Sequence, residues 1–182
     1  FFTDFEDASP EALTTYERAS LPRDINAIRN DENLMSIWAR LKTEYLTDFT
    51  LELAQAANYY RQADNKVFTT SRNLYAVTVM EPRSQRWFAQ DIQNFAANYD
   101  FVAVMAMPYM EEAEHPNEWL RGLAKRSLAQ VGADQLVFEL QAQNWHTQTP
   151  ISSEEMAQWV RILREEGIKH IGYYPDDFHQ NH

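Results

Sequence analysis

Cysteine is absent from this chain of 182 residues, which rules out disulfides and thiol chemistry but leaves the compartment open. Glycine is scarce at four residues, and no glycine-rich phosphate loop occurs. No apolar run approaches the roughly 20 residues needed to span a bilayer. Positive charge is in short supply too, with 27 acidic against 16 basic residues and a formal charge of −11. Phosphate backbones repel such a chain, so no nucleic-acid partner is expected. The five histidines (His115, His146, His170, His179 and His182) show no metal-ligand spacing. HExxH and a nucleophile elbow are both missing, so no metal or other cofactor is expected.

Aromatic side chains, by contrast, are plentiful: five Trp, nine Tyr and ten Phe. Four short apolar runs recur roughly every 34 residues, at Val67–Thr70, Phe101–Met107, Leu136–Leu140 and His170–Tyr173. Each leads into a polar or aromatic cluster. These are Arg72-Asn73, Met107-Pro108-Tyr109-Met110-Glu111, Glu139 and Gln141 with Asn144-Trp145, and Tyr173-Tyr174-Pro175-Asp176-Asp177. A strand, a polar loop and a helix in repetition give an α/β chain, the layout of a (β/α)8 TIM-like barrel, whose strand-end loops build the active site. Such a barrel needs about 250 residues. The chain opens on Phe1-Phe2-Thr3-Asp4 with neither an initiator Met nor a signal peptide. The expectation is therefore one domain over residues 1–182, forming part of a barrel whose upstream strands are missing.

Helices are expected between the runs. Ser9-Pro10-Glu11 reads as a helix start. A long helical segment near residues 31–62 carries Leu34, Trp38, Leu41, Tyr45, Phe49 and Leu53 at helical spacing. Further helices are expected over Ser84–Asn98, over Asn117–Val131 with Gly132 as its stop, and over Ser152–Glu166. The last has a capping box in Ser152 and Glu155 and a stop at Gly167.

Alternation on the third strand divides Leu136, Phe138 and Leu140 from Val137, Glu139 and Gln141. Buried parallel strands normally read as continuous hydrophobic runs. Glu139 and Gln141 break that rule on the face expected to point into the barrel. They serve either a pocket or a structural pairing with a neighbouring Arg. Asp4, Glu6 and Asp7 crowd three carboxylates into four residues. Mutual repulsion raises at least one pKa, as a general acid requires, although a solvated acidic loop before a helix fits the same pattern. Glu111-Glu112 and Asp176-Asp177 are weaker acidic pairs.

Seven segments resemble, in order, the C-terminal domain of PgaB/HmsF-type proteins. They are Asp4-Phe5-Glu6-Asp7-Ala8-Ser9, Leu21-Pro22-Arg23-Asp24, Tyr45-Leu46-Thr47-Asp48-Phe49-Thr50, Met105-Ala106-Met107-Pro108-Tyr109-Met110-Glu111, Phe138-Glu139-Leu140-Gln141-Ala142, Pro150-Ile151-Ser152-Ser153 and Gly172-Tyr173-Tyr174-Pro175-Asp176-Asp177-Phe178. The resemblance implies the C-terminal portion of a glycoside hydrolase barrel. It implies a periplasmic, outer-membrane-associated protein with an N-terminal deacetylase domain, and an export porin as a further partner. The implied activity is endo-type hydrolysis of partly deacetylated poly-β-1,6-N-acetylglucosamine, a biofilm polymer whose free amines make it cationic. The alternative is a non-catalytic binding and export module for the same polymer. By the resemblance, Asp4 and Glu6 fall in the family's acidic segment as catalytic candidates, and Trp145 matches a groove tryptophan. Asp7, Arg72, Asn73, Tyr109, Glu111, Glu139, Gln141, Tyr173, Tyr174 and Asp176 complete the expected substrate contacts. The family's His-Asp-Asp stretch, which holds further catalytic acids, lies upstream of Phe1.

Overall fold

A computed structural model of the chain describes residues 17–62 and 68–175. Asp4, Glu6, Asp7, Asp176 and the helix start at Ser9 lie outside the described residues. Helices α1 (Ile25–Arg29) and α2 (Glu32–Gln62) come first. Strand β1 (Ser71–Tyr75) runs directly into α3 (Ala76–Met80), a 3-10 turn at Pro82–Ser84, α4 (Gln85–Phe88) and α5 (Ile92–Asn98). Then follow β2 (Phe101–Ala106), α6 (Pro116–Leu128) and β3 (Leu136–Gln141). A two-residue ribbon, β4 (Gln143–Asn144) with β5 (Thr149–Pro150), precedes α7 (Ser153–Glu165) and β6 (His170–Tyr174).

The four longer strands form one parallel sheet in the order β1-β2-β3-β6. Among the described residues this sheet is open, with β1 and β6 at its edges. Strand register divides the side chains between two faces. Rows Arg72–Val102–Leu136, Leu74–Val104–Phe138–Ile171 and Ala106–Leu140–Tyr173 share one face. Leu74, Val102, Val104, Ala106, Leu136, Phe138 and Leu140 are fully buried there, against Phe95 of α5, Leu120 and Leu123 of α6, and Trp159 and Leu163 of α7. Burying each large side chain contributes about 1.5–3 kcal/mol, so this face anchors the sheet. The opposite, open face carries Asn73, Tyr75, Met105, Val137, Glu139 and Tyr174, and at its β1 edge the Tyr75 ring packs 5.0 Å from that of Phe88 in α4. The alternation expected for the third strand is borne out: its apolar parity meets the helices and Glu139 faces away.

Helix α7 is specified locally at both ends. Ser152 Oγ accepts the Glu155 N–H at 3.1 Å. At the other end Gly167 adopts φ +99°, where a side chain would be strained. The Gly167 N–H reaches Arg164 O at 3.1 Å and the Ile168 N–H reaches Leu163 O at 3.0 Å, a Schellman closure. Helix α2 starts where expected, with Asp31 Oδ1 accepting the N–H groups of Asn33 (2.8 Å) and Leu34 (3.0 Å).

Several expectations need correction. The first strand lies at Ser71–Tyr75, after Phe68–Thr70 rather than within it. The Asp100 carboxylate accepts the Thr70 N–H at 2.7 Å and hydroxyl at 2.9 Å, and the ladder begins one residue on, at Ser71 opposite Phe101. The helix expected over Ser84–Asn98 breaks at Ala89, which is left-handed at φ 51°, and Asp91 caps a new helix by accepting the Asn94 N–H at 2.7 Å. Helix α6 stops at Leu128, four residues before Gly132, whose φ is not left-handed. On α2, Tyr45, Phe49 and Leu53 are exposed, while Ala39, Lys42, Thr43 and Thr47 are buried. The buried threonines are satisfied: Thr43 donates to Ala39 O (3.0 Å) and Thr47 to Asn94 Oδ1 (2.8 Å).

Candidate functional site

The open face gathers its chemistry toward the C-terminal ends of the strands. One register row reads Tyr75–Met105–Glu139–Gly172. Glu139 is half-buried, and the Asn73 amide donates to its carboxylate at 3.2 Å. Burial pushes the Glu139 carboxyl above its ordinary value. Among the described residues no cation neutralises it. No pairing with a neighbouring Arg forms among the described residues. Arg72, one residue before Asn73, turns to the helix-covered face, where its guanidinium carbon lies 5.4 Å from the Phe95 ring centroid.

Aromatic surface lies beside the carboxylate. Tyr174 follows Gly172 by two residues on the same face and is 58% exposed. Its ring is 6.4 Å from that of half-buried Trp145 at an interplanar angle of 41°. The loop carrying Trp145 is tied to itself: Asn144 Oδ1 accepts the His146 N–H at 3.0 Å, and Gln148 Nε2 donates to Trp145 O at 2.6 Å. Tyr173 is just as exposed but belongs to the Ala106–Leu140 row, so strand alternation sends it to the other side.

The loop after β2 is fastened from beneath. Gln141 has no exposed surface; its Oε1 accepts the N–H groups of Tyr109 (2.8 Å) and Met110 (3.2 Å), and its Nε2 donates to Gln143 O (2.8 Å). The Tyr109 hydroxyl donates to Glu155 Oε1 at 2.5 Å, and its ring packs 5.7 Å from buried Trp159. Chiefly through that bond to Glu155, its phenol is pushed up to about 12. Glu155 therefore fills only half of the expected capping box, because its carboxylate goes to Tyr109. Glu111 is half-buried and its pKa is raised, by burial first and by the Glu81 charge, against the opposing Val77 N–H.

The structure thus brings together Asn73, Glu139, Trp145 and Tyr174. Arg72 and Tyr173 point to the far side of the sheet, while Gln141, Tyr109 and Glu111 are engaged in the loop framework. Sequence reasoning did not single out Gly172; the signal available was a glycine inside an otherwise aromatic strand. Among the described residues no group of three potential metal ligands converges, and no helix is long and apolar enough to cross a membrane.

The sequence and the parallel α/β fold agree with known proteins. Residues 1–174 match the family described as "Hypothetical glycosyl hydrolase family 13", GHL13. The chain belongs to that family. A solved structure, the PgaB (BpsB) glycoside hydrolase domain from Bordetella bronchiseptica, superposes with a TM-score of 0.88 at 44% identity, covering 97% of this chain and 49% of that one. The poly-beta-1,6-N-acetyl-D-glucosamine N-deacetylases of Escherichia coli K12 and O157:H7 are each 39% identical over 186 aligned residues, 98% of this chain and 27% of theirs. The GHL13 chain described here therefore spans about half of the solved domain and about a quarter of the curated deacetylases. The resemblance read from the sequence is borne out, as are the α/β fold of a TIM-like barrel and the glycoside hydrolase class.

Proposed function

We propose that the open sheet face of this GHL13 domain binds partly deacetylated poly-β-1,6-N-acetylglucosamine and that the whole domain hydrolyses it in endo fashion. One observation carries the reading: Glu139 is a half-buried carboxylate with no cation beside it among the described residues, next to the exposed Tyr174 ring and the half-buried Trp145 ring. A carboxylate that has lost part of its hydration gains most from a ligand that brings an ammonium group. Glucosamine units supply that group on a ring whose C–H faces stack on aromatics, and a protonated amine is further drawn to those ring faces. Asp4 and Glu6 are assigned the acid and electrostatic roles, since glycoside hydrolysis generally requires two carboxyl groups flanking the scissile bond. The N-terminal deacetylase part of the relatives would generate the free amines that Glu139 reads. A periplasmic location associated with the outer membrane, next to an export porin, follows from the same reading.

A second reading has its own support. Among the described residues Glu139 is the one carboxylate in the strand rows of the open face. That favours holding the polymer over cutting it, as a binding and export module would. Mass spectrometry of partly deacetylated polymer incubated with the full domain and with this chain separates the two. Shorter oligosaccharides from the full domain alone would assign essential acids to the upstream part. Products from this chain would assign the chemistry to residues between Asp4 and Asp177. No products from either would leave binding and export as the function.

A further inference from the structure

Gly172 sits in the interior of β6, directly opposite Glu139 in the parallel register. Glycine weakens a strand interior and calls for a reason: a special backbone conformation, a bulge, or close approach of another group. The first does not apply, because Gly167 is the described glycine with a left-handed φ and Gly172 is not. Nor does a bulge, since His170–Tyr174 pairs residue for residue with Val137–Gln141. Packing among the described residues does not require it either, because a Cβ built at Gly172 meets nothing within 4 Å there. With the described residues excluded, what remains is approach from outside them, over the open face. The surroundings specify what approaches. Glu139 bounds the gap on β3, and the same face of β6 carries His170 below and Tyr174 above.

Resting on the function proposed above, we infer that Gly172 determines specificity: its missing side chain opens a notch in which a hexosamine ring lies against the backbone of β6. Seated there, the ring presents its 2-amino group to the Glu139 carboxylate and its apolar face to Tyr174. A side chain at 172 would lift the ring away from Glu139. An N-acetylated unit brings no ammonium to that carboxylate, so the notch selects deacetylated units.

The test uses the full domain with Gly172→Ala, Gly172→Val and Glu139→Gln, each titrated calorimetrically with β-1,6-linked glucosamine oligomers and followed by thermal unfolding. Gly172→Ala is expected to weaken binding about 10-fold and Gly172→Val more, by the scale of one to three misplaced methyl groups in a fitted site. The unfolding temperature should hold or rise, because both residues suit a strand better than glycine. Binding within two-fold of wild type in both glycine variants would overturn the inference. So would a fall in unfolding temperature in Gly172→Ala, which would assign the gap to another part of the protein. Glu139→Gln distinguishes the levels. Weakened binding in Glu139→Gln with unchanged glycine variants sinks the notch alone, whereas unchanged binding in all three sinks the proposed site with it.

Discussion

Gln141 accepts the backbone N–H of Tyr109 at 2.8 Å, joining the end of β3 to the loop after β2 through a side chain with no exposed surface. The same oxygen takes the Met110 N–H, and the amide nitrogen is spent on Gln143 O. One buried amide thereby fixes two loops next to the open face.

Replacing that amide with a hydrocarbon should loosen both loops. Gln141→Leu strands the N–H groups of Tyr109 and Met110 and the carbonyl of Gln143, at a cost of about 2–3 kcal/mol. Chemical denaturation should show the loss, and amide exchange at Tyr109 and Met110 should quicken while the α7 amides keep their protection. Unchanged exchange at Tyr109 would refute the clamp.

Glu139 should trade stability for binding. Its carboxyl is raised above the ordinary 4.5 by burial, so between 4.5 and the raised value the folded chain holds more protons than the unfolded one. Stability from this group therefore falls as pH rises through that window. Glu139→Gln removes the cost while keeping an acceptor for Asn73. The variant should be more stable than wild type near neutral pH, with the advantage fading below about pH 4. Its affinity for glucosamine oligomers should drop, and the wild-type affinity should weaken as salt rises. Denaturation at the two pH values and titration at two ionic strengths check both halves.

Lys42 carries the opposite sign. Its ammonium is buried over the Trp38 ring, 3.4 Å from the centroid, and donates to Arg86 O. Burial lowers its pKa from 10.5 to about 8. Above about 8 the folded chain releases this proton while the unfolded chain keeps it, so stability from this group rises with pH up to about 10.5. The stability difference between Lys42→Met and wild type should favour Met most below pH 8 and shift toward wild type as pH climbs. Denaturation midpoints of both proteins at about pH 7 and about pH 10 measure that shift, and a difference that did not move with pH would contradict it.

Short-range patterns determined a good part of this protein from the sequence. Two-residue alternation sorted Leu136, Phe138 and Leu140 from Glu139, and local capping set the Ser152 and Gly167 ends of α7 and the start of α2. These features depend on neighbours a few residues away, so they are written in the chain itself. Tertiary structure decided the rest. Asp100 holds Thr70 from 30 residues away and begins β1 at Ser71, and Gln90 takes the Tyr75 N–H at 2.8 Å where that strand turns into α3. Ala76–Met80 contains three β-branched residues, Val77, Thr78 and Val79, yet is helical, with Ala76, Thr78 and Val79 buried. Tyr109 is expected among the substrate contacts, and in the fold its hydroxyl bonds Glu155 and its ring packs on Trp159. In each case the partner lies far along the sequence, and only folding brings it within hydrogen-bonding or van der Waals reach.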